Sequence, residues 1–334
     1  MSSIPSSLLD MPGSNARSRN DRNSTQLQEE KQQQQIHALV PSSMICITGV
    51  MFIEGTLKVP RRTAEGSMLT CSLHYRIFRA RQLKMQPPPL VVVHGGPSIP
   101  SNYLLSLVNI ITDRAVIFYD QVGCGKSSRP AERECYSMDY SVSDLNALIQ
   151  HLKLLKYHLF GHSFGGLVTF EYIKSLIRDE QTISSCCSMI LSSTPTSTRL
   201  AQDESKYCMD QLRDTYPDYT PSMLQELYHQ QNECRIVPPP LALTDAYAQA
   251  GNVWRGMDAI PDYEAQATIT TSKLPPTLIL RGQYDFISER CIEEWSTIIP
   301  SSHQVTLAGC SHHGLLENEA MYGAAIGGFI EDCD

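Results

Sequence analysis

The sequence predicts an α/β protein: a mostly parallel central sheet, helices on both faces, and a helical cap inserted between two of the strands. Three observations carry that prediction. Short apolar runs without alternation recur along the chain, as expected of strands buried on both faces. Amphipathic helical stretches lie between them. One long polar interval, residues 195–272, breaks the rhythm with helical patches and no strong strand.

The 334 residues suffice for one large domain or two ordinary ones. A 42% hydrophobic and 19% charged composition is that of a soluble globular chain, and a formal charge of −8 excludes a cationic nucleic-acid surface. No apolar run approaches the ~18 residues of a membrane span. The N-terminus lacks the apolar core of a secretory signal. Eleven cysteines without compact spacing point to reduced thiols and a cytoplasmic protein. Residues 1–43 are rich in Ser, Asn, Gln and Arg and end near a glutamine run (Gln32 to Gln35), which predicts a disordered polar tail.

Order is expected from Met44. "ICITGVMFIEG" and "MLTCSLHYRIF" read as two antiparallel strands. Beyond Pro87-Pro88-Pro89 come the buried runs Leu90 to Val93, Ala115 to Asp120, Tyr157 to Phe160, Ser188 to Ser193 and Thr277 to Gly282. Between them, Leu145, Leu148, Ile149, Leu152 and Leu155 form one helical stripe, and Leu167, Phe170, Ile173 and Ile177 form another. The core is thus expected at 44–194 and 273–334. The cap at 195–272 contains the patches "SMLQELYHQQ" and "LALTDAYAQAGNVWRGM" and is expected to cover the C-terminal ends of the strands. Cys186-Cys187 lie inside an apolar run and read as core positions.

The chemistry gathers where strands end. "GHSFGG" places Ser163 between a strand and a helix, the context of a nucleophile elbow. A chance G-x-S-x-G would occur in about one chain in ten of this length, so context decides. Gly161 and Gly165 fit because a Cβ in so tight a turn would strike backbone. "HGGP" (His94 to Pro97) directly follows a strand, either as an ordinary turn or as a turn that points the Gly96 N–H inward. With the Phe164 N–H it would form a two-donor oxyanion hole. Asp285 follows the strand "TLILRG", and His312 and His313 follow the last apolar run. The order Ser163, Asp285, His312 is that of a catalytic triad on this kind of sheet. A serine needs such a base because its own hydroxyl is not ionised at neutral pH.

Two other patterns carry no chemistry. Gly125-Lys126-Ser127 looks like the end of a phosphate-binding loop, but Asp120 stands where its first glycine belongs. His158 and His162, four apart on a strand and an elbow, do not aim at one metal. No metal or organic cofactor is called for.

Together "VVVHGGPS", "IFYDQVGCGKSSRP", "GHSFGG", "LRGQYDFIS" and "GCSHHGLLE" resemble the proline iminopeptidase group of α/β-hydrolases, from about Met44 to the C-terminus and more weakly in the cap. The resemblance implies Ser163 as nucleophile, Asp285 and His312 as its partners, and Gly96 with Phe164 as oxyanion donors. It selects His312 over His313 because the family's glutamate, here Glu317, falls five residues after its histidine. On an extended loop only one of the two would face Ser163. The chain departs from the family at Ser98, where glycine is usual, and at Phe286, where a second substrate-binding acid is usual. The first such acid is then expected in the cap, as Asp262 or Glu264. The implied substrate is a small peptide, amide or ester. Three readings follow: an aminopeptidase of this group, a specialised amidase, esterase or lactonase, and a non-catalytic ligand-binding module.

Overall fold

The computed structural model describes residues 45–47, 49–179, 186–267 and 273–334. The tail expected at 1–43 lies outside them. The described strands form one nine-stranded sheet: β1 (Ile45–Ile47), β2 (Val50–Arg62), β3 (Met68–Phe78), β4 (Leu90–Val93), β5 (Val116–Asp120), β6 (Tyr157–His162), β7 (Cys186–Ser192), β8 (Thr277–Gly282) and β9 (Ser302–Leu307). Their order is β1-β2-β3-β5-β4-β6-β7-β8-β9. The pairs β1–β2, β2–β3 and β3–β5 are antiparallel, and every pair from β5–β4 to β8–β9 is parallel.

The inner strands match the unalternating runs: every residue of β4, β5 and β6 is buried. β9, which the sequence reading passed over, is an edge strand with only Leu307 fully buried, so it lacks the apolar signature of its neighbours. The first predicted strand divides at a turn into β1 and the longer β2.

Two helices frame the centre. Helix α1 (Met138–His151) is capped by Ser137, whose side chain accepts from the Tyr140 N–H at 3.1 Å. It buries Leu145, Leu148 and Ile149 against the sheet, but it ends before the predicted stripe does, leaving Leu155 85% exposed. Helix α2 (Phe164–Arg178) follows β6 directly and buries Leu167, Phe170 and Ile173.

Between β7 and β8 come α3 (Thr198–Thr215), α4 (Pro221–Tyr228), a single π-helical turn (His229–Glu233) and α5 (Leu241–Ala248). α3 starts at a Ser197 cap; α4 starts at a Thr220 cap with proline in its first turn, where no N–H is missed. Leu212, Leu224 and Tyr228 make a small apolar cluster of their own, against which Phe286 packs. Trp254 is buried and meets Phe164 edge-on at 5.2 Å, which fastens this interval over the start of α2. Helix α6 (Glu319–Glu331) closes the chain and buries Tyr322, Ile326 and Ile330. Among the described residues no helix is long and apolar enough to cross a membrane.

Candidate active site

β4 and β6 are parallel neighbours, with Val93 paired to Gly161. The two glycine-rich loops therefore leave adjacent strand ends. The chain turns to β5 on one side of β4 and to β6 on the other, which opens a crevice at the sheet's C-terminal edge. Ser163 stands at its lip with φ 54° and ψ −122°, and its N–H is fixed to the Ser192 carbonyl at 2.8 Å. This sharp turn demands close backbone approach. A Cβ on Gly165 would lie 2.1 Å from the Val93 carbonyl oxygen, and one on Gly161 would lie 2.5 Å from that of Gly165. Among the described residues Ser163 Oγ makes no hydrogen bond, to His312 or to any other group, and it lines the same cavity as His312.

Phe164 is the first residue of α2, so its N–H has no acceptor within the helix. Gly96, at φ 119°, lines the same cavity as Ser163 and Phe164. Ser98 takes the left-handed φ of 66° that glycine would adopt freely, and its carbonyl accepts the Gly251 N–H at 2.9 Å. The backbone at Ser98 thus ties the first loop to the segment after α5, a bond that glycine would make equally.

Asp285 and His312 meet behind Ser163. His312 Nδ1 lies 2.9 Å from Asp285 Oδ1, which also accepts the Ile287 N–H at 2.8 Å. Both side chains are buried. Burial disfavours the charged imidazole, but the Asp285 carboxylate, joined by Glu233 and Glu317, outweighs it and holds the His312 pKa above its ordinary value. Glu317 secures the loop, accepting from Ser311 N and Ser311 Oγ at 2.5 Å each and from Arg235 N at 2.5 Å. Phe286 lies against the His312 ring at 4.5 Å, so the position where an acid was expected is an apolar wall.

His313 does not turn away. The loop is a tight turn rather than an extended strand, and both histidines line the cavity. They differ in partners: His313 Nε2 reaches Tyr247 OH at 3.4 Å and has no carboxylate, and burial drives its pKa well below the ordinary value. His162 joins the loops. Its Nε2–H donates to the His312 carbonyl at 2.9 Å, its Nδ1 accepts from Tyr103 OH at 2.9 Å, and Tyr103 OH accepts the Gly95 N–H at 2.8 Å. Only a neutral ring satisfies this chain, consistent with a pKa that burial and the neighbouring His312 push down to about 3. His158 is likewise packed, between Ser188 and Asp334. The Gly125-Lys126-Ser127 stretch is stapled to its surroundings: Ser127 Oγ donates to the Asp120 carbonyl and accepts from His74 N, while Lys126 pairs with Glu54.

The cavity in front of Ser163 has a volume of about 270 Å³. The π-helical turn brings Glu233 into its wall, because the extra residue per turn rotates that side chain off the face α4 would otherwise continue. Glu233 Oε2 accepts from His229 Nδ1 at 2.6 Å and from Tyr247 OH at 3.3 Å. The turn's carbonyls also hold the histidine loop: Asn232 O accepts from His312 N and Glu233 O from His313 N. Asp262 and Glu264, the acids expected from the sequence, are exposed and absent from the cavity lining. The Ala265 N–H bonds to the Thr196 carbonyl and the Thr198 N–H to that of Tyr263, and Glu264 faces a separate groove beside Arg199. Glu233 was not foreseen, since a π turn leaves no mark in the residue pattern "YHQQNEC".

A family profile described as alpha/beta hydrolase fold matches residues 88–233. The proline iminopeptidase of Thermoplasma volcanium is 28% identical over 284 residues, covering 78% of this chain and 93% of its own length. That of Lactobacillus acidophilus is 29% identical over 298 residues, covering 81% and 99%. Among solved structures, the proline iminopeptidase of Mycobacterium smegmatis superposes with a TM-score of 0.66 at 21% identity, over 83% of this chain and 98% of that one. An esterase of Thermogutta terrifontis superposes at 0.58 and 20% identity, over 83% and 99%.

Proposed function

We propose that this chain, an α/β-hydrolase with proline iminopeptidases among its relatives, is a serine hydrolase that removes an N-terminal residue bearing a free amine from a small peptide or amide. The observation that carries the reading is the buried 2.9 Å contact between His312 Nδ1 and Asp285, opening onto the cavity that Ser163 lines. With Nδ1–H donated to Asp285, the lone pair of His312 Nε2 is left to act as base. His312 takes the Ser163 proton as Oγ attacks the carbonyl, and Asp285 stabilises the imidazolium. The N–H groups of Gly96 and Phe164 receive the oxyanion, each contributing roughly a hundred- to a thousandfold in rate, and the N-terminus of α2 adds its dipole. The imidazolium returns its proton to the leaving nitrogen. Water then attacks the acyl-enzyme by the same route in reverse. The chemistry requires no metal or organic cofactor.

Glu233 is the one carboxylate lining the cavity among the described residues, and we assign it to the substrate's α-ammonium. The same reading divides the chain into a core at 44–194 and 273–334 and a cap at 195–272. It places the protein in the cytoplasm, where buried unpaired thiols such as Cys71, Cys124 and Cys135 are kept reduced. A second reading, a specialised amidase, esterase or lactonase, is favoured by the apolar Phe286 wall.

The test is labelling with a serine-reactive fluorophosphonate. Wild type should label and Ser163→Ala should not, with kcat at least a thousandfold lower and an unchanged unfolding transition. A folded Ser163→Ala protein that keeps a tenth of wild-type turnover refutes the nucleophile. Failure of wild type to label would leave a ligand-binding module.

A further inference from the structure

The cavity carries one charge that the reaction leaves unused. Arg255 lies in its lining and, among the described residues, makes neither an ion pair nor a hydrogen bond. Its guanidinium carbon stands 5.9 Å from the centre of the Tyr247 ring, the ring whose hydroxyl reaches Glu233 at 3.3 Å. Glu233 and Arg255 are thus the carboxylate and the guanidinium in the lining of one small cavity, each against the same tyrosine. The backbone before Arg255 is fixed by Trp254, whose Nε1–H donates to the Ala259 carbonyl at 2.9 Å and whose ring packs on Phe164. The nearest acid in sequence, Asp258, is engaged by Gln202 Nε2 at 3.2 Å. A guanidinium with five free donors beside an opening matches a carboxylate in shape as well as charge. In a chain of net charge −8 it also gives an anionic group a local reason to approach.

We propose that Arg255 receives the terminal carboxylate of the substrate, so that the preferred substrates are free short peptides, dipeptides first, bound as zwitterions between Glu233 and Arg255. The proposal rests on the aminopeptidase reading above and names the leaving group within it. In a dipeptide the amide C–N bond breaks as the tetrahedral intermediate collapses. The leaving nitrogen takes its proton from His312, and the second residue departs as a free amino acid whose carboxylate had been held by Arg255. Water then releases the first. The volume of about 270 Å³, at the small end for ligand pockets, suits a molecule of this size.

The experiment compares prolyl-glycine with prolyl-glycinamide, which differ only in the terminal charge. Kinetics on wild type and Arg255→Gln are paired with calorimetric Kd values for the same two ligands on Ser163→Ala and on Ser163→Ala/Arg255→Gln. The free acid should be favoured about tenfold in kcat/KM and in Kd, and Arg255→Gln should bring both ratios close to one. A ratio near one in wild type, or one that Arg255→Gln leaves in place, overturns the proposal. If neither compound is cleaved and the protein fails to label, the hydrolase reading fails, and the Kd ratios still judge Arg255. Binding of neither ligand rejects the zwitterion site outright.

Discussion

Two histidines adjacent in sequence, both lining one cavity, behave oppositely because only His312 has a carboxylate against it. In the proposed mechanism His312 acts as the neutral base, and Asp285, joined by Glu233 and Glu317, holds its pKa above the ordinary imidazole value against the opposing effect of burial. A base with a raised pKa is protonated, and idle, over more of the acid range. The rising limb of kcat/KM with pH should therefore have its midpoint above about 6.5, the unperturbed value. A pH profile on an aminoacyl anilide measures it, and a midpoint at or below that value would remove Asp285 as the partner that sets the base. Glu233 makes the complementary prediction for binding. One charge-assisted contact is worth roughly 1.5–3 kcal/mol, or about ten- to a hundredfold. Glu233→Gln should lower the preference for a free-amine anilide over its N-acetyl counterpart by that factor, whereas Asp262→Asn and Glu264→Gln, whose side chains lie outside the cavity, should leave it alone. A preference unaffected by Glu233→Gln would move the amine site elsewhere. An N-acetyl substrate cleaved as well as the free amine would favour the esterase or amidase reading.

At the level of elements, the site depends on three loops held in register: the one after β4, the one after β6, and the turn bearing His312. Tyr103 and His162 connect all three through a line of hydrogen bonds from Gly95 N to the His312 carbonyl. Tyr103→Phe deletes one oxygen but strands a buried N–H on Gly95 and a buried acceptor on His162. Such groups cost about 1–3 kcal/mol. The variant should lose stability of that order in urea unfolding and lose kcat, with KM nearly unchanged; a kcat equal to wild type would mean that the loops align without this link. The same elements explain what was legible in the sequence. Strands β4 to β8 announce themselves because burial on both faces leaves mostly apolar residues, and the loops behind them carried Ser163, Asp285 and His312 into view. β9 did not, because an edge strand is half solvent-exposed and reads as loop. α3 buries only Thr198, Ala201 and Leu212 over eighteen residues, too few to make a stripe. Glu233 escaped for a different reason: the π turn that carries it is bonded through its carbonyls to the distant histidine loop, and its residue pattern does not mark it. The acids at 262 and 264 misled because their segment is bonded to Thr196 and Thr198 and both lie outside the cavity lining, a long-range pairing that residue type and position in the cap do not mark.

Across the whole molecule, histidine burial sets the response to acid. The native pKa values of His158, at about 4, and of His162, at about 3, lie below the ordinary value. Those of His74, His94 and His313 are also lowered, in each case chiefly by burial. A histidine whose folded pKa is depressed binds fewer protons in the native state than in the unfolded one between the two values, so its contribution to stability disappears as pH falls through that window. Each such group steepens the slope by up to about 1.4 kcal/mol per pH unit. His312 and His229 act in the opposite sense: their folded pKa values are raised, and the stability they add is present below about 6.5 and lost as pH climbs through the folded values. Among the described residues the depressed groups outnumber the raised ones, and the two sets work on opposite sides of the same unperturbed value. Stability should therefore peak near pH 6.5 and fall away on both sides, more steeply toward pH 4. The lowered pKa of Asp334, bonded to Arg114 and His158, adds to the acid loss as that carboxylate is protonated. Urea midpoints taken at half-unit steps from pH 4.5 to 8.5 measure the curve. His158→Gln, which removes one depressed group, should flatten its acid limb by about one proton's worth of slope. A midpoint constant from pH 6.5 down to 4.5 would mean that these rings take up protons without unfolding, and that the neutral His162 bridging the three loops is not the state the fold requires.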